Sequence, residues 1–141
     1  LQFRWDSITN IVSKCYDDVH ERGKLLTAAV FPTPILARQL VRQDWVNWQI
    51  DALMPMIYNG FYKEPVSWVG DATQQGVTAL KAKKPLYSGV FIPDLSPDEM
   101  AAASSFALGA GAAGVVYFDE HALTEAHWQR LARVASRYTA S

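Results

Sequence analysis

Ionisable and aromatic side chains gather in four short stretches: Phe31 to Arg38, Met56 to Phe61, Phe91 to Asp94, and Phe118 to His121. Each holds an aromatic residue together with a charged or amide group. Flat rings beside carboxylates and amides suit a carbohydrate, whose ring offers apolar faces and whose edges offer hydroxyls. Asp94, Asp119 and Glu120 are the candidates for acid–base work. If the strands before them are neighbours, their carboxyl groups fall in the ~5–10 Å range that glycoside hydrolysis uses. Each has a plainer reading as well. Asp94 stands two residues before Ser96 and can serve only a turn and a helix start, Asp119-Glu120-His121 can be a solvated loop, and Phe31, Phe91 and Phe118 can plug the top of a core.

Other chemistry is excluded or reads as packing. Asp119 and His121 would share one side of a continuing strand, but no third ligand stands at metal-site spacing, so no metal is expected, and no cofactor. Gly109-Ala110-Gly111-Ala112-Ala113-Gly114 spells G-x-G-x-x-G. A dinucleotide turn must follow a strand and open a helix; this one follows a helix and opens a strand, and so reads as a small-residue connection. Ser88 and Ser104 lack a His and an Asp at readable spacing. His20 and His127 fall on helices far from the strand ends and read as surface groups. Trp45 and Trp48, three residues apart, read first as helix-to-sheet packing.

The elements that must position these groups follow from apolar spacing. Ile8, Ile11, Val12, Cys15 and Val19 make one helical face, with Gly23 as its stop. Leu25 to Phe31 is a nearly continuous apolar run, suited to a strand buried on both faces, and Pro32 and Pro34 end it in a loop. A second helix is expected over Leu40 to Gln49. Asp51 to Tyr58 reads as the next strand, with Pro55 forcing a distortion inside it. Asn59-Gly60 turns the chain into a helix bearing Val66, Val69, Thr73, Val77 and Leu80, closed by a solvated Lys81, Lys83 and Lys84.

Tyr87 to Ile92 is a third strand, and Ser96-Pro97-Asp98-Glu99 opens a helix that runs to about Leu108. Ala113 to Phe118 is the fourth strand. Thr124 caps a last helix, with Leu123 and Trp128 as a hydrophobic staple and Trp128, Leu131, Ala135 and Tyr138 as its buried stripe. Strands joined by helices pair in parallel. The fold class is therefore α/β, in one of two architectures: a doubly wound open sheet of flavodoxin-like type, or half of a (β/α)8 barrel built from about four βα units.

At 141 residues, half of them hydrophobic, the chain fits one domain spanning residues 1–141 and is too apolar for disorder. Thirteen basic against fourteen acidic residues, scattered along the chain, leave no polyanion-binding face, so nucleic acid is not expected as a partner. Cys15 stands alone, which rules out an intrachain disulfide. No apolar run reaches the ~20 residues of a membrane span. The chain opens on Leu1-Gln2-Phe3-Arg4, without an initiator Met or a signal peptide, and reads as a piece of something longer. Four parallel strands leave two unpaired edges, so a homo-oligomer covering them is expected.

Three stretches together resemble a known family: Phe3-Arg4-Trp5-Asp6-Ser7-Ile8-Thr9 leading into Ala28-Ala29-Val30-Phe31-Pro32, then Ala37-Arg38 with Gln43-Asp44-Trp45-Val46-Asn47-Trp48, then Ile50-Asp51-Ala52-Leu53-Met54-Pro55-Met56-Ile57-Tyr58. The chain resembles the family-ten-like glycosyl hydrolases, bacterial (β/α) barrels of the cell envelope, over the carboxyl-terminal half of their barrel. The resemblance implies a barrel rather than an open sheet, with these strands as its fifth to eighth. It also implies an extracellular or envelope location and a parent that hydrolyses O-glycosyl bonds or, as the alternative, binds glycans without cleaving them, while this chain alone is inactive. Arg38, Gln43, Asp44, Trp45, Met56 and Tyr58 would border a carbohydrate cleft, together with Phe91 and Phe118. The family's strand-seven nucleophile has no Glu counterpart here; Asp94 stands in its place.

Overall fold

The computed structural model describes residues 1–139. Helices and strands alternate along them: α1 (Gln2–Glu21), β1 (Thr27–Val30), α2 (Pro34–Val41), β2 (Ala52–Pro55), α3 (Trp68–Leu80), β3 (Tyr87–Phe91), α4 (Pro97–Gly109), β4 (Gly114–Phe118) and α5 (Glu125–Thr139). β1 pairs in parallel with β2, from Thr27 opposite Ala52 to Val30 opposite Pro55. β3 pairs in parallel with β4, from Tyr87 opposite Gly114 to Phe91 opposite Phe118. Parallel bridges at Leu53–Leu86 and Met56–Gly89 join the two ladders. The order is thus β1-β2-β3-β4, each strand beside its predecessor.

That order decides between the two architectures. Right-handed crossovers that always advance in one direction put every helix on the same side of the sheet. Val30, Leu53 and Val90 are fully buried beneath the helices, whereas Thr27 and Ala29, on the alternate side of β1, are exposed. The fold is half of a (β/α)8-type barrel. The flavodoxin-like alternative, which needs a reversal of strand order and helices on both faces, is corrected by this topology. So is the expectation that the first strand is buried on both faces: among the described residues no layer lies against its inner side, where Thr27 and Ala29 are exposed.

Pro55 explains why the middle of the sheet is thin. Leu53 N–H donates to Pro85 O (3.1 Å) and Ile57 N–H to Gly89 O (3.0 Å). The donor between them would be residue 55, and proline has no N–H. The strand ends there, short of the expected Tyr58, although its neighbours stay close. A Cβ on Gly89 would meet Pro55 O at 2.8 Å, so only glycine admits this approach.

The second helix lies earlier than expected. Thr33 caps it, accepting from Leu36 N–H (3.2 Å), and Pro34 opens it instead of breaking it. Arg42, at φ 62°, stops it. Trp45 then sits in a short 3-10 turn (Trp45–Asn47), and both Trp45 and Trp48 are buried against Val30, Leu53 and Leu86. At the α4–β4 connection, α4 ends on Gly109 and Gly111 takes φ 99°, so the glycine run turns a helix into a strand as its order implied.

Three surface expectations and one buried stripe are corrected. His127 is buried: Nε2 donates to Leu95 O (3.1 Å) and Nδ1 meets the Thr124 hydroxyl (2.8 Å), so the ring ties α5 to the loop between β3 and α4. His20 pairs with Asp51 at 2.8 Å. Lys84 is half-buried, and its ammonium donates to Trp48 O. On α5, His127 and Val134 are buried, whereas Trp128, Ala135 and Tyr138 are exposed. Leu123, the other half of the expected staple, packs on the core without burying Trp128.

Two outcomes follow. Gly89→Ala is expected to lower unfolding free energy by about 1–3 kcal/mol in denaturant titrations, because the contact lies against backbone. Asp51 Oδ2 accepts from His20 (2.8 Å) and from Leu26 N–H (2.6 Å), bonds that hold its carboxyl below the usual range. A depressed carboxylate stabilises above its unfolded pKa of ~3.9 and loses that contribution as pH falls. Asp51→Asn should therefore melt below the parent at neutral pH, with the gap closing in acid; a gap that widens in acid contradicts this.

Candidate functional site

Parallel strands in advancing order carry all four carboxyl ends to one rim. At that rim β2, β3 and β4 release Tyr58, Phe91 and Phe118. Tyr58 lies 5.4 Å from Phe91 and 6.4 Å from Phe118 between ring centroids, and Phe91 stacks on Phe118 at 6.1 Å. Phe61 completes the cluster, edge-on to Tyr58 (5.4 Å) and to Phe91 (4.9 Å). Tyr58 and Phe91 are half-buried, whereas Phe61 is 63% and Phe118 52% exposed. Two rings thus form a base and two stand open. Burial raises the Tyr58 phenol above its ordinary value, so at neutral pH its hydroxyl stays protonated and able to donate.

Carboxylates border this cluster. Asp94 ends a 3-10 turn (Ile92–Asp94), exposed, and its Oδ2 lies 3.1 Å from where a Gly60 Cβ would stand. It therefore sits over the Asn59-Gly60 turn that presents Phe61. Asp119 caps the turn after β4 (Glu120–Ala122), accepting from His121 N–H at 2.9 Å. Glu120 is exposed beside it. The structure brings all three acids to the same end of adjacent strands. Asp119 spends one oxygen on its own backbone, and Asp94 and Glu120 stand in open solvent, so no carboxylate here is enclosed in the manner of a tuned general acid.

The residues after β1 make a structural lock. Gln43 Oε1 accepts from Phe31 N–H (2.9 Å), fixing the end of β1. Arg38 Nε meets Asp44 Oδ1 at 2.7 Å, and Asn47 donates to Asp44 Oδ2 at 2.9 Å. The Arg38 guanidinium also covers the Trp5 ring at 4.9 Å, docking α1. Asp44 is buried within these contacts and Trp45 is wholly enclosed, so neither offers a surface to a ligand; both are corrected to packing roles. Gln43 and Arg38 have their polar atoms engaged in the lock. Met56 is half-buried in register with Gly89, on the inner side of the sheet.

Phe61 was not singled out beyond the Met56–Phe61 stretch; its place after an Asn-Gly turn at a strand end was the available signal. A concavity of about 550 Å³ lies elsewhere, between α2 and α3, lined by Pro34, Ile35, Asp71, Gln74, Gln75 and Thr78. It is an open groove on the helical side, without converging charges. Among the described residues no group of three or more His, Cys, Asp or Glu side chains is placed to hold a metal ion. Among them no helix is long and apolar enough to cross a membrane.

Neither the protein-family models nor the curated proteins include a match to this chain. Among solved structures it is similar to dihydrodipicolinate synthase from Bacillus clausii, at 13% identity and a TM-score of 0.49, over 79% of this chain and 41% of that one. The chain thus spans less than half the length of that structure. The resemblance to family-ten-like glycosyl hydrolases is corrected accordingly: no family model and no curated protein supports it. With it goes the support it lent to rim roles for Arg38, Gln43, Asp44 and Trp45, and to an envelope location.

The lock can be tested by Gln43→Leu, which leaves the Phe31 N–H without its acceptor. A loss of about 1–3 kcal/mol in unfolding free energy is expected by denaturant titration.

Proposed function

We propose that the carboxyl-terminal rim binds a carbohydrate without cleaving it. The observation that carries this reading is the four-ring cluster of Tyr58, Phe61, Phe91 and Phe118, two rings of which stand more than half exposed at the strand ends. Burying such rings is favourable and leaving them in water is not, so rings held open at the functional end of a parallel sheet support a ligand that covers them. Asp94 and Asp119 flank the rings and offer acceptor oxygens. A ligand with apolar ring faces and hydroxyl edges matches both features at once, whereas a purely apolar ligand leaves the acids unused. Exposure of Asp94 and Glu120 supports binding over hydrolysis, since neither is set apart from the other by a desolvating pocket.

The reading is tested by titrating a panel of oligosaccharides and following backbone amide shifts. Shifts confined to the ends of β2, β3 and β4 are expected. Phe61→Ala and Phe118→Ala should each weaken binding by roughly tenfold, about 1.4 kcal/mol, while Phe106→Ala, an exposed ring on α4, leaves it unchanged. No rim shifts at millimolar sugar, or turnover of aryl glycosides that Asp94→Asn abolishes, contradicts the proposal.

A further inference from the structure

The half-barrel is bare in three places that lie along the same two edges. First, β1 and β4 each have one unpaired edge, and exposed strand edges are normally covered. Second, among the described residues no helix or strand lies over the inner side of the sheet, where Thr27 and Ala29 of β1 are exposed and Met54 of β2 and Met56, just past its end, are half-buried.

Third, the terminal helices show apolar flanks beyond those edges. On α1, Ile11 and Cys15 are exposed one turn apart, on the side opposite His20, which reaches inward to Asp51 at the start of β2. Leu25, just before β1, is 76% exposed. On α5, Trp128 and Ala132 are exposed on the side opposite Arg130, which reaches inward to Asp98 of α4. Both exposed flanks therefore point away from the rest of the sheet, past β1 and past β4.

The surface area agrees. The chain exposes 8191 Å² at a mass of 15.7 kDa. A compact monomer of that mass exposes roughly 7,300 Å². The excess, about 900 Å², is close to the ~800 Å² that each partner buries in an ordinary stable interface.

We infer that two copies of this chain close one eight-stranded barrel about a two-fold axis that coincides with the barrel axis, β4 of each pairing with β1 of the other. One operation then satisfies both free edges, covers both inner faces and sets the Trp128 flank of α5 beside the Ile11 flank of α1. Four strands are half of the eight that such a barrel holds, and a two-fold along the barrel axis keeps all eight parallel. A second copy fits because the two edges are complementary to each other: an unrelated partner would have to supply a parallel strand at each. Closure also completes the rim, bringing the second copy's Phe31 end of β1 beside Phe118 and Asp119. This association does not require that the rim bind a carbohydrate.

Sedimentation equilibrium of the chain at tens of micromolar is the test. Twice the monomer mass is expected, falling to one monomer mass in Trp128→Glu and in Ala29→Arg, each with unchanged far-UV circular dichroism. Phe106→Ser, on α4 away from both edges, should remain a dimer and shows that exposed rings in general are not the cause. Oxidation of the lone Cys15 adds a second readout. In the closed barrel the two Cys15 side chains lie on opposite sides, each against the other copy's α5, so no disulfide-linked dimer forms. A monomer mass for the parent chain overturns the inference. So does a dimer that cross-links through Cys15, since that places β1 against β1.

Discussion

Every strand-to-strand connection in this chain advances one place in the same direction, and much else depends on that constraint. Right-handed crossovers then stack all helices on one side, and the strands' carboxyl ends converge on one rim. The residues that the rim gathers are up to sixty positions apart in sequence, as with Tyr58 and Phe118, yet their rings lie 6.4 Å apart. The same constraint leaves the other side of the sheet uncovered, because four units complete only half a circuit.

Local chemistry keeps the sheet in that order where its ladder is weak. Pro55 removes the donor that would sit between Leu53 and Ile57, and Gly89 answers by letting the backbones close to a distance no side chain would permit. At the opposite end, Asp51 gathers the start of β1 and the end of α1 onto one carboxylate. Gln43 pins the far end of β1. The polar residues around β1 thus hold the strand by both ends. Arg38, Gln43 and Asp44 are spent on this, which is why the rim's chemistry falls to the rings and acids of β2, β3 and β4.

Much of this was legible in the sequence. Apolar runs marked all four strands, Ser96-Pro97-Asp98-Glu99 marked the start of α4, and the reversed order around Gly109 to Gly114 removed a nucleotide site. The pairing of strands, their order and the bare inner face depend on long-range contacts, and no local pattern carries them. Thr33-Pro34 reads equally as a strand end and as a cap followed by the first helical residue, and capping won. His127 and Lys84 read as surface groups because polar residue types usually are, yet each found a carbonyl to satisfy it. The α5 stripe was right at Leu131, which packs on the core, and wrong at Trp128, Ala135 and Tyr138, which face out while His127 and Val134 face in. Motif likeness over three stretches suggested a family that no family model supports.

The strand order is the claim that everything else rests on, and nuclear Overhauser contacts between backbone protons read it directly. Contacts of Met56 with Gly89 and of Val90 with Tyr117 are expected, together with Ala28 beside Leu53, all in parallel register. Contacts placing β1 beside β3, or any antiparallel pairing among the four strands, would contradict the half-barrel and the rim built on it.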